Sequence, residues 1–218
     1  MSIGLKSDSS GTSGSIVING SDKIVVTSAG NVTAGTFTGA VVGNVTGNVT
    51  GSLTAGGSVT SGVAVASTSG TAIDFTGIPS WVARIMVTFG GVSVSGTSPF
   101  LVQLGTGAGP TFKSSDYTSI GISFGGSGLT SNARTNGFAF ADTVSAAYTY
   151  GGNAVIAKVS GNIYSFNSTL AAATASGDGS CVGAGSVSLG AVLTSIRITT
   201  VGGANTFDAG TINIMYEG

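Results

Sequence analysis

The side chains that most often perform catalysis are scarce in this sequence. Histidine is absent and cysteine occurs once, at Cys181, so neither a nucleophile paired with an imidazole nor a zinc site can be assembled within one chain. Carboxylates are the remaining catalytic groups, because two of them flanking a glycosidic bond can hydrolyse it. The acidic residues after residue 70 are Asp74, Asp116, Asp142, Asp178, Asp208 and Glu217.

These acidic residues occur singly, and most of them neighbour glycine, serine or threonine. Aspartate in such a context commonly accepts hydrogen bonds in turns and caps, so structural roles are favoured. The stretch "GTGAGP" (105–110) shares glycines with a dinucleotide-binding fingerprint, but its third glycine is displaced and no helix follows, which predicts a loop between strands. We therefore predict no enzymatic activity, no cofactor and no metal site.

Three tyrosines near the ends of predicted strands are candidates for receptor binding: Tyr117, Tyr148 and Tyr150. Their rings would stack on sugars if they project from a tip of the domain. The alternative is that they pack inside the domain or at a contact between subunits. Arg84 and Arg197 lie within strong strand patterns, on faces that we expect to be partly exposed or at a subunit contact.

Charge is low throughout the chain, with 7 Lys and Arg against 8 Asp and Glu, or 7% charged residues, where about a quarter is usual. This balance predicts no binding to nucleic acid or to anionic membranes. No apolar run approaches the roughly 20 residues of a membrane-spanning helix, so we predict no membrane insertion. The first 15 residues lack the apolar centre of a secretory signal, which predicts synthesis in a cytoplasm.

A four-residue repeat, "GNVTGNVTGSLT", occupies residues 43–54. In an extended strand, glycine alternates along one face with the apolar residues Phe37, Val41, Val45, Val49 and Leu53, while the other face carries mainly threonine and asparagine. Glycine allows neighbouring backbones to approach closely, so identical chains could pack these apolar residues around a common axis as a shaft. A flexible Gly/Thr-rich linker is the alternative interpretation.

The chain is predicted to be all-β, in three parts. Residues 1–34 contain a β-hairpin that reverses at Asn19-Gly20, and residues 35–70 form the β-shaft. Residues 71–218 form an antiparallel, jelly-roll-like β-sandwich, because short apolar runs recur with turn residues between them and no amphipathic helix is evident. The candidate strands are 81–89, 100–104, 119–124, 137–140, 146–150, 154–159, 162–166, 193–201 and 211–216. Residues 168–177 have helix propensity and could equally form a loop.

Three stretches give the chain a resemblance to the tail fibres of tailed bacteriophages, especially those that infect cyanobacteria. The opening "SSGTSGSIVINGSDKIVVTSAGNVTAGTFTG" resembles a fibre attachment segment, and "GNVTGNVTGSLT" is similar to short shaft repeats. The stretch "GIPSWVARIMVTFGGVSVSGTSPFLVQLG", together with "SIRITTVGGANTFDAGTINIMYEG", resembles a C-terminal domain of several phage structural proteins.

The resemblance implies a homotrimer in the virion. Residues 1–34 would anchor it to other tail or baseplate proteins, and the C-terminal heads would contact a glycan or protein of the host surface. Two alternatives remain open: a fibre or decoration protein mounted on the capsid, and a glycan-cleaving tailspike enzyme. The long, acid-rich β-helices of enzymatic tailspikes do not fit a head of this length.

Overall fold

The computed structural model describes the backbone of residues 3–7, 13–18, 21–27 and 32–33, and residues 59–125, 128–174 and 177–218, without the side chains of 177 and 178. The chain divides into two compact units, Met1–Gly51 and Ser52–Gly218. The predicted shaft residues Phe37, Val41, Val45, Val49 and Leu53 lie outside the described residues, so their role stays a prediction.

The N-terminal unit contains an antiparallel sheet in the order β1-β2-β3-β4. Its strands are β1 (Ile3–Ser7), β2 (Ser13–Ile18), β3 (Ser21–Thr27) and β4 (Val32–Thr33). Strands β2 and β3 pair with Ile18 opposite Ser21, on either side of the predicted reversal at Asn19-Gly20. The short strands β1 and β4 extend that hairpin on both sides, as an isolated hairpin requires for stability.

The C-terminal unit is also built from strands. They are β5 (Thr60–Ser61), β6 (Val65–Ala66), β7 (Ala72–Thr76), β8 (Arg84–Val94), β9 (Phe100–Thr106), β10 (Thr111–Phe112), β11 (Thr118–Gly125), β12 (Gly128–Arg134), β13 (Phe138–Ala139), β14 (Thr149–Ser160), β15 (Ile163–Thr174), β16 (Gly177–Ser188), β17 (Leu193–Thr200) and β18 (Phe207–Glu217). A single 3-10 turn, Val201–Gly203, joins β17 to β18. The described residues contain no α-helix, and none of their helical segments is long or apolar enough to cross a bilayer.

Two antiparallel sheets make up this unit. The smaller sheet has the order β10-β9-β17-β7, with β13 paired to β9, and the larger has the order β12-β11-β16-β15-β14-β8-β18-β5, with β6 paired to β18. The predicted all-β class with antiparallel sheets is confirmed. Strands β14, β15 and β16 follow one another as a meander in the larger sheet, a connection that the jelly-roll-like prediction did not include.

One apolar core fills the space between the two sheets. Aromatic rings of the two sheets contact each other. The ring centroid of Phe100, in the smaller sheet, lies 5.6 Å from that of Phe89 and 5.1 Å from that of Tyr150, both in the larger sheet. Alternation explains the burial, since β15 buries every second side chain from Tyr164 to Ala172. In the predicted strand 81–89, Ile85, Val87 and Phe89 are buried, whereas Trp81 and Ala83 precede the strand and stay exposed.

The sequence prediction of a helix or a loop over residues 168–177 was wrong for 168–174, which form a strand. Residues 168–174 complete β15, and the glycine- and serine-rich segment after them forms β16, which pairs with β15 along its length. Gly183 of β16 explains this composition, because a Cβ atom there would collide with the backbone carbonyl of Ala139 in β13. The close approach of β13, and not strand propensity, accounts for glycine at this position.

The C-terminal unit begins before residue 71, the predicted start of the head. Strands β5 and β6 fall within the predicted shaft, but both pair with β18 at the edge of the larger sheet. An exposed strand edge carries unpaired N–H and C=O groups, and these short strands cover them in part. Ser67 strengthens the attachment, because its hydroxyl donates a hydrogen bond to the carbonyl of Ala209 at 2.8 Å.

Candidate functional site

Two of the three tyrosines proposed for receptor binding are buried. Tyr117 is 2% exposed, and its hydroxyl accepts a 2.8 Å hydrogen bond from the backbone N–H of Leu104. Tyr150 is 1% exposed, and its hydroxyl accepts a 2.9 Å bond from the N–H of Ser145. Neither ring has a face free to stack on a sugar, so the stacking interpretation does not hold for these two.

Tyr148 keeps part of its ring exposed while it packs against the core. Its centroid lies 6.4 Å from that of Tyr150 in an edge-on arrangement, so one side of the ring is occupied. A single half-exposed ring is a weak platform for a saccharide. The three tyrosines therefore do not form a sugar-binding surface, and polar groups elsewhere on the unit are better candidates.

Several acidic residues are held in ion pairs with neighbouring cations. Asp74 receives two 2.7 Å hydrogen bonds from the guanidinium of Arg197, Asp116 receives one at 2.8 Å from Lys113, and Glu217 pairs with Arg84. Asp116 occupies a left-handed turn position at φ 61°, as predicted for an aspartate in a turn. Asp74 is different, because it lies in the middle of β7 and reaches across to β17.

The candidate site is a shallow cleft of about 410 Å³ over the outer face of the smaller sheet. Its floor comes from adjacent strands, because Arg197 of β17 lies opposite Gln103 of β9 and Asp74 of β7. One neighbouring row, Ala72, Thr199 and Leu101, continues the floor. The walls are formed by Ser114 and Asn136 and by Thr71, Thr200, Gly202 and Gly203.

Arg197 is fixed in place at one end of this cleft. Its two bonds to Asp74 hold the guanidinium, which stacks over the ring of Phe112 with 4.1 Å between Cζ and the ring centroid. Phe112 stands opposite Gly105 in the β9–β10 pair, where a Cβ atom would meet the aromatic ring. Hydrogen bonding to Asp74 raises the pKa of Arg197 above its ordinary value, so the cation persists at all accessible pH.

Hydrogen-bonding groups line the rest of the cleft. Gln103 donates a 2.8 Å hydrogen bond from Nε2 to the backbone carbonyl of Asn136, which fixes the orientation of the Gln103 side-chain amide. The side chains of Ser114 and Asn136 make no hydrogen bond within the part of the chain that the structure describes. Gly202 and Gly203 have φ values of 74° and 62°, which glycine adopts without strain, and their turn forms the opposite rim.

This arrangement suits a neutral ligand rich in hydroxyl groups. Amide, hydroxyl and guanidinium groups converge on one concave surface, and the ion pair leaves little net charge there. Sequence reasoning missed Gln103 and Asn136, because neither belongs to a motif. Their convergence depends on the pairing of distant strands.

The lining of the cleft, as the structure describes it, contains no histidine, cysteine or carboxylate. The described residues contain no group of three His, Cys, Asp or Glu side chains placed to hold a metal ion. Cys181 is buried, and burial raises the pKa of its thiol, while Ser123 lies 3.8 Å from the sulfur. A thiol in this environment is a poor nucleophile.

We compared the chain with known protein families, curated proteins and solved structures. No protein-family model, no curated protein and no solved structure matches the chain.

Proposed function

We propose that this chain is a non-enzymatic, homotrimeric fibre protein of a phage virion, a tail fibre that attaches to the bacterial host. Residues 1–34 would join other tail or baseplate proteins, and the C-terminal unit would bind a host-surface glycan. The resemblance of three stretches to tail-fibre proteins supports the virion assignment. The organisation into two all-β units is consistent with it.

The cleft on the smaller sheet is the observation that carries the binding proposal. Sugars present many hydroxyl groups and few charges, and they are held by planar amides, hydroxyls and guanidinium groups. Gln103, Asn136 and Ser114 supply the neutral groups, and the Asp74–Arg197 pair supplies fixed charged partners. The volume of about 410 Å³ falls in the range of roughly 300–1,000 Å³ typical of small-ligand sites.

A shallow cleft provides modest affinity, which suits a trimeric fibre. Each additional head of the same fibre binds with an effective concentration set by its tether, so avidity can exceed single-site affinity by about 10² to 10⁴. The proposed trimer therefore converts weak individual contacts into stable attachment.

An array of purified bacterial lipopolysaccharides and capsular polysaccharides tests the binding proposal. The full chain is applied beside Asn136→Ala, which removes a cleft amide, and Asn132→Ala, which removes an exposed amide from edge strand β12. Because a neutral hydrogen bond contributes about 0.5–1.5 kcal/mol, we expect Asn136→Ala to weaken binding by roughly two- to twelve-fold for a single site. Asn132→Ala should bind as the wild type does.

Equal binding by both variants would refute the cleft, and no retention of any polysaccharide would refute glycan attachment. Reducing-sugar release in the same wells would instead favour the tailspike alternative. Gold-labelled antibodies against the protein, applied to phage particles, test the virion assignment separately. Labelling of capsids in place of tails would favour the capsid-mounted alternative.

A further inference from the structure

The outer face of the larger sheet, which points away from the core, is a broad surface with little charge. Alternation and strand register place its side chains. From β18 to β12 they are Thr211, Asn213, Met215, Glu217, Arg84, Met86, Thr88, Asn153, Val155, Ala157, Ile163, Ser165, Asn167, Thr169, Ala171, Ala173, Ser180, Val182, Ala184, Ser186, Ser188, Thr118, Ile120, Ile122, Phe124, Leu129, Ser131 and Ala133.

An apolar stripe crosses this face at right angles to the strands. Met215 lies opposite Met86, Met86 opposite Val155, and Val155 opposite Asn167. The row continues from Asn167 through Ala184 and Ile120 to Ala133. It crosses β18, β8, β14, β15, β16, β11 and β12, and Asn167 is its one polar member.

Exposed apolar side chains flank the stripe on both sides. Phe124 is 40% exposed and lies opposite Leu129, which is 61% exposed, while Ile163 of β15, on the opposite side of the row, is 41% exposed. Large contiguous apolar surfaces are uncommon on monomers and mark sites of interaction. The exposed residues between them include alanine and serine, whose side chains are short, so a partner can approach the strands closely.

The described charged side chains of this face balance each other, and Asp178, near the start of β16, occupies a position of the same face away from the stripe. Among the described side chains, the charged residues are Arg84 and Glu217, which face each other across β8 and β18 and form an ion pair. Depletion of charged residues, with methionine enriched, distinguishes the centre of protein interfaces from the rest of a surface. The outer face of the smaller sheet differs, because it carries the Asp74–Arg197 pair within a hydrogen-bonding cleft.

The area is sufficient for a stable contact between subunits. Seven strands at about 4.8 Å spacing span roughly 30 Å, and seven residues along each strand extend about 23 Å, which gives roughly 700 Å² in projection. Side chains make the accessible area larger than this projection. A standard interface buries about 800 Å² on each partner, so one face of this sheet provides enough surface.

We propose that the outer face of the larger sheet is covered by a second copy of this chain. A copy presents the same low charge, so no unpaired charge of the stripe would be buried when copies meet. In the proposed trimer, each head would place one part of this face against a different part of its neighbour's face, as a three-fold ring requires. This contact is separate from the predicted association through Val41, Val45 and Val49, and it holds the heads themselves together.

Thiol labelling of the full-length protein tests whether this face is covered. In a Cys181→Ala background, Ala184→Cys places a thiol in the stripe, and Ala191→Cys places one in an exposed turn outside it. Both alanines are exposed in the single chain, so they are matched controls for each other. With a maleimide reagent, we expect Ala184→Cys to react at least about ten-fold more slowly than Ala191→Cys.

A second substitution connects protection to association. Val155→Lys adds a charge to the stripe and should restore fast labelling at Ala184→Cys. The control is Val192→Lys, which adds a charge outside the stripe at a side chain that is 42% exposed, and it should leave labelling at Ala184→Cys slow. Similar rates at Ala184→Cys and Ala191→Cys in the absence of these lysines would overturn the inference, whatever the result for Val155→Lys.

Light scattering on the same samples separates this inference from the proposed shaft. An oligomeric mass with fast labelling at Ala184→Cys would preserve association through residues 35–53 and refute the interface on the sheet. Slow labelling that becomes fast on dilution to a monomeric mass would support the interface, with the mass giving the number of copies. Neither result depends on the virion assignment, which the antibody experiment tests.

Discussion

Substituting Tyr117 by phenylalanine should destabilise the C-terminal unit. Strand β9 is paired by β13 as far as Val102 and by β10 from Gly105, so the edge of β9 has a gap between the two. The N–H of Leu104 lies in this gap, and the hydroxyl of Tyr117 accepts its hydrogen bond at 2.8 Å. The tyrosine thus replaces a missing strand partner.

The magnitude follows from the burial of both groups. Leu104 is 0% exposed and Tyr117 is 2% exposed, so water cannot replace the lost oxygen without opening the core. An unpaired buried donor costs about 1–3 kcal/mol. With a urea dependence of about 2 kcal/mol per molar for a unit of this size, the midpoint should fall by roughly 0.5–1.5 M.

Urea unfolding followed by the fluorescence of Trp81, the one tryptophan of the chain, provides the measurement. Trp81 packs against Tyr216, so its emission reports on this unit. Tyr148→Phe is the matched control, since its hydroxyl makes no hydrogen bond within the described residues. All variants are compared at one protein concentration, because association shifts the apparent stability. A midpoint for Tyr117→Phe that coincides with that of Tyr148→Phe would refute the reasoning.

Three further predictions concern the same core. Burial raises the pKa of both Tyr117 and Tyr150 to about 12 from 10.0, so the folded state favours the protonated phenols. The contribution of each tyrosine to the free energy of unfolding should be constant below pH 10 and fall by about 1.4 kcal/mol per pH unit as the pH rises towards 12, so urea midpoints should fall less steeply in Tyr117→Phe than in the wild type. Gly183→Ala should cost about 1–3 kcal/mol or more by forcing β13 away from β16, and Gly190→Ala, at an open position, should change the urea midpoint little. Leu170→Ala should lower the free energy of unfolding by about 2–5 kcal/mol, because the Leu170 side chain is fully buried. A thermal midpoint equal to that of the wild type would contradict this burial.

Local sequence patterns were sufficient to predict the class of fold and many of its strands. Alternating apolar residues at 85–89 indicated which side chains face a core, because the two-residue period of a strand is a local property. The short apolar run at 162–166 indicated a strand. The hairpin at Asn19-Gly20 was predictable for a similar reason, since turn chemistry depends on adjacent residues. Low charge was likewise visible in the composition before any surface was known.

Tertiary structure decided the features that depend on distant residues. Asp74 and Arg197 are 123 residues apart, and only the pairing of β7 with β17 makes them an ion pair at the end of a cleft. Strand β16 is rich in glycine and has weak strand propensity, yet close packing of β13 requires glycine at residue 183. The tyrosines were recognisable as aromatic residues, but which of them points inward depends on the second sheet. Local chemistry therefore determined the elements, and the packing of one sheet on another determined which side chains remain available to a ligand or a partner.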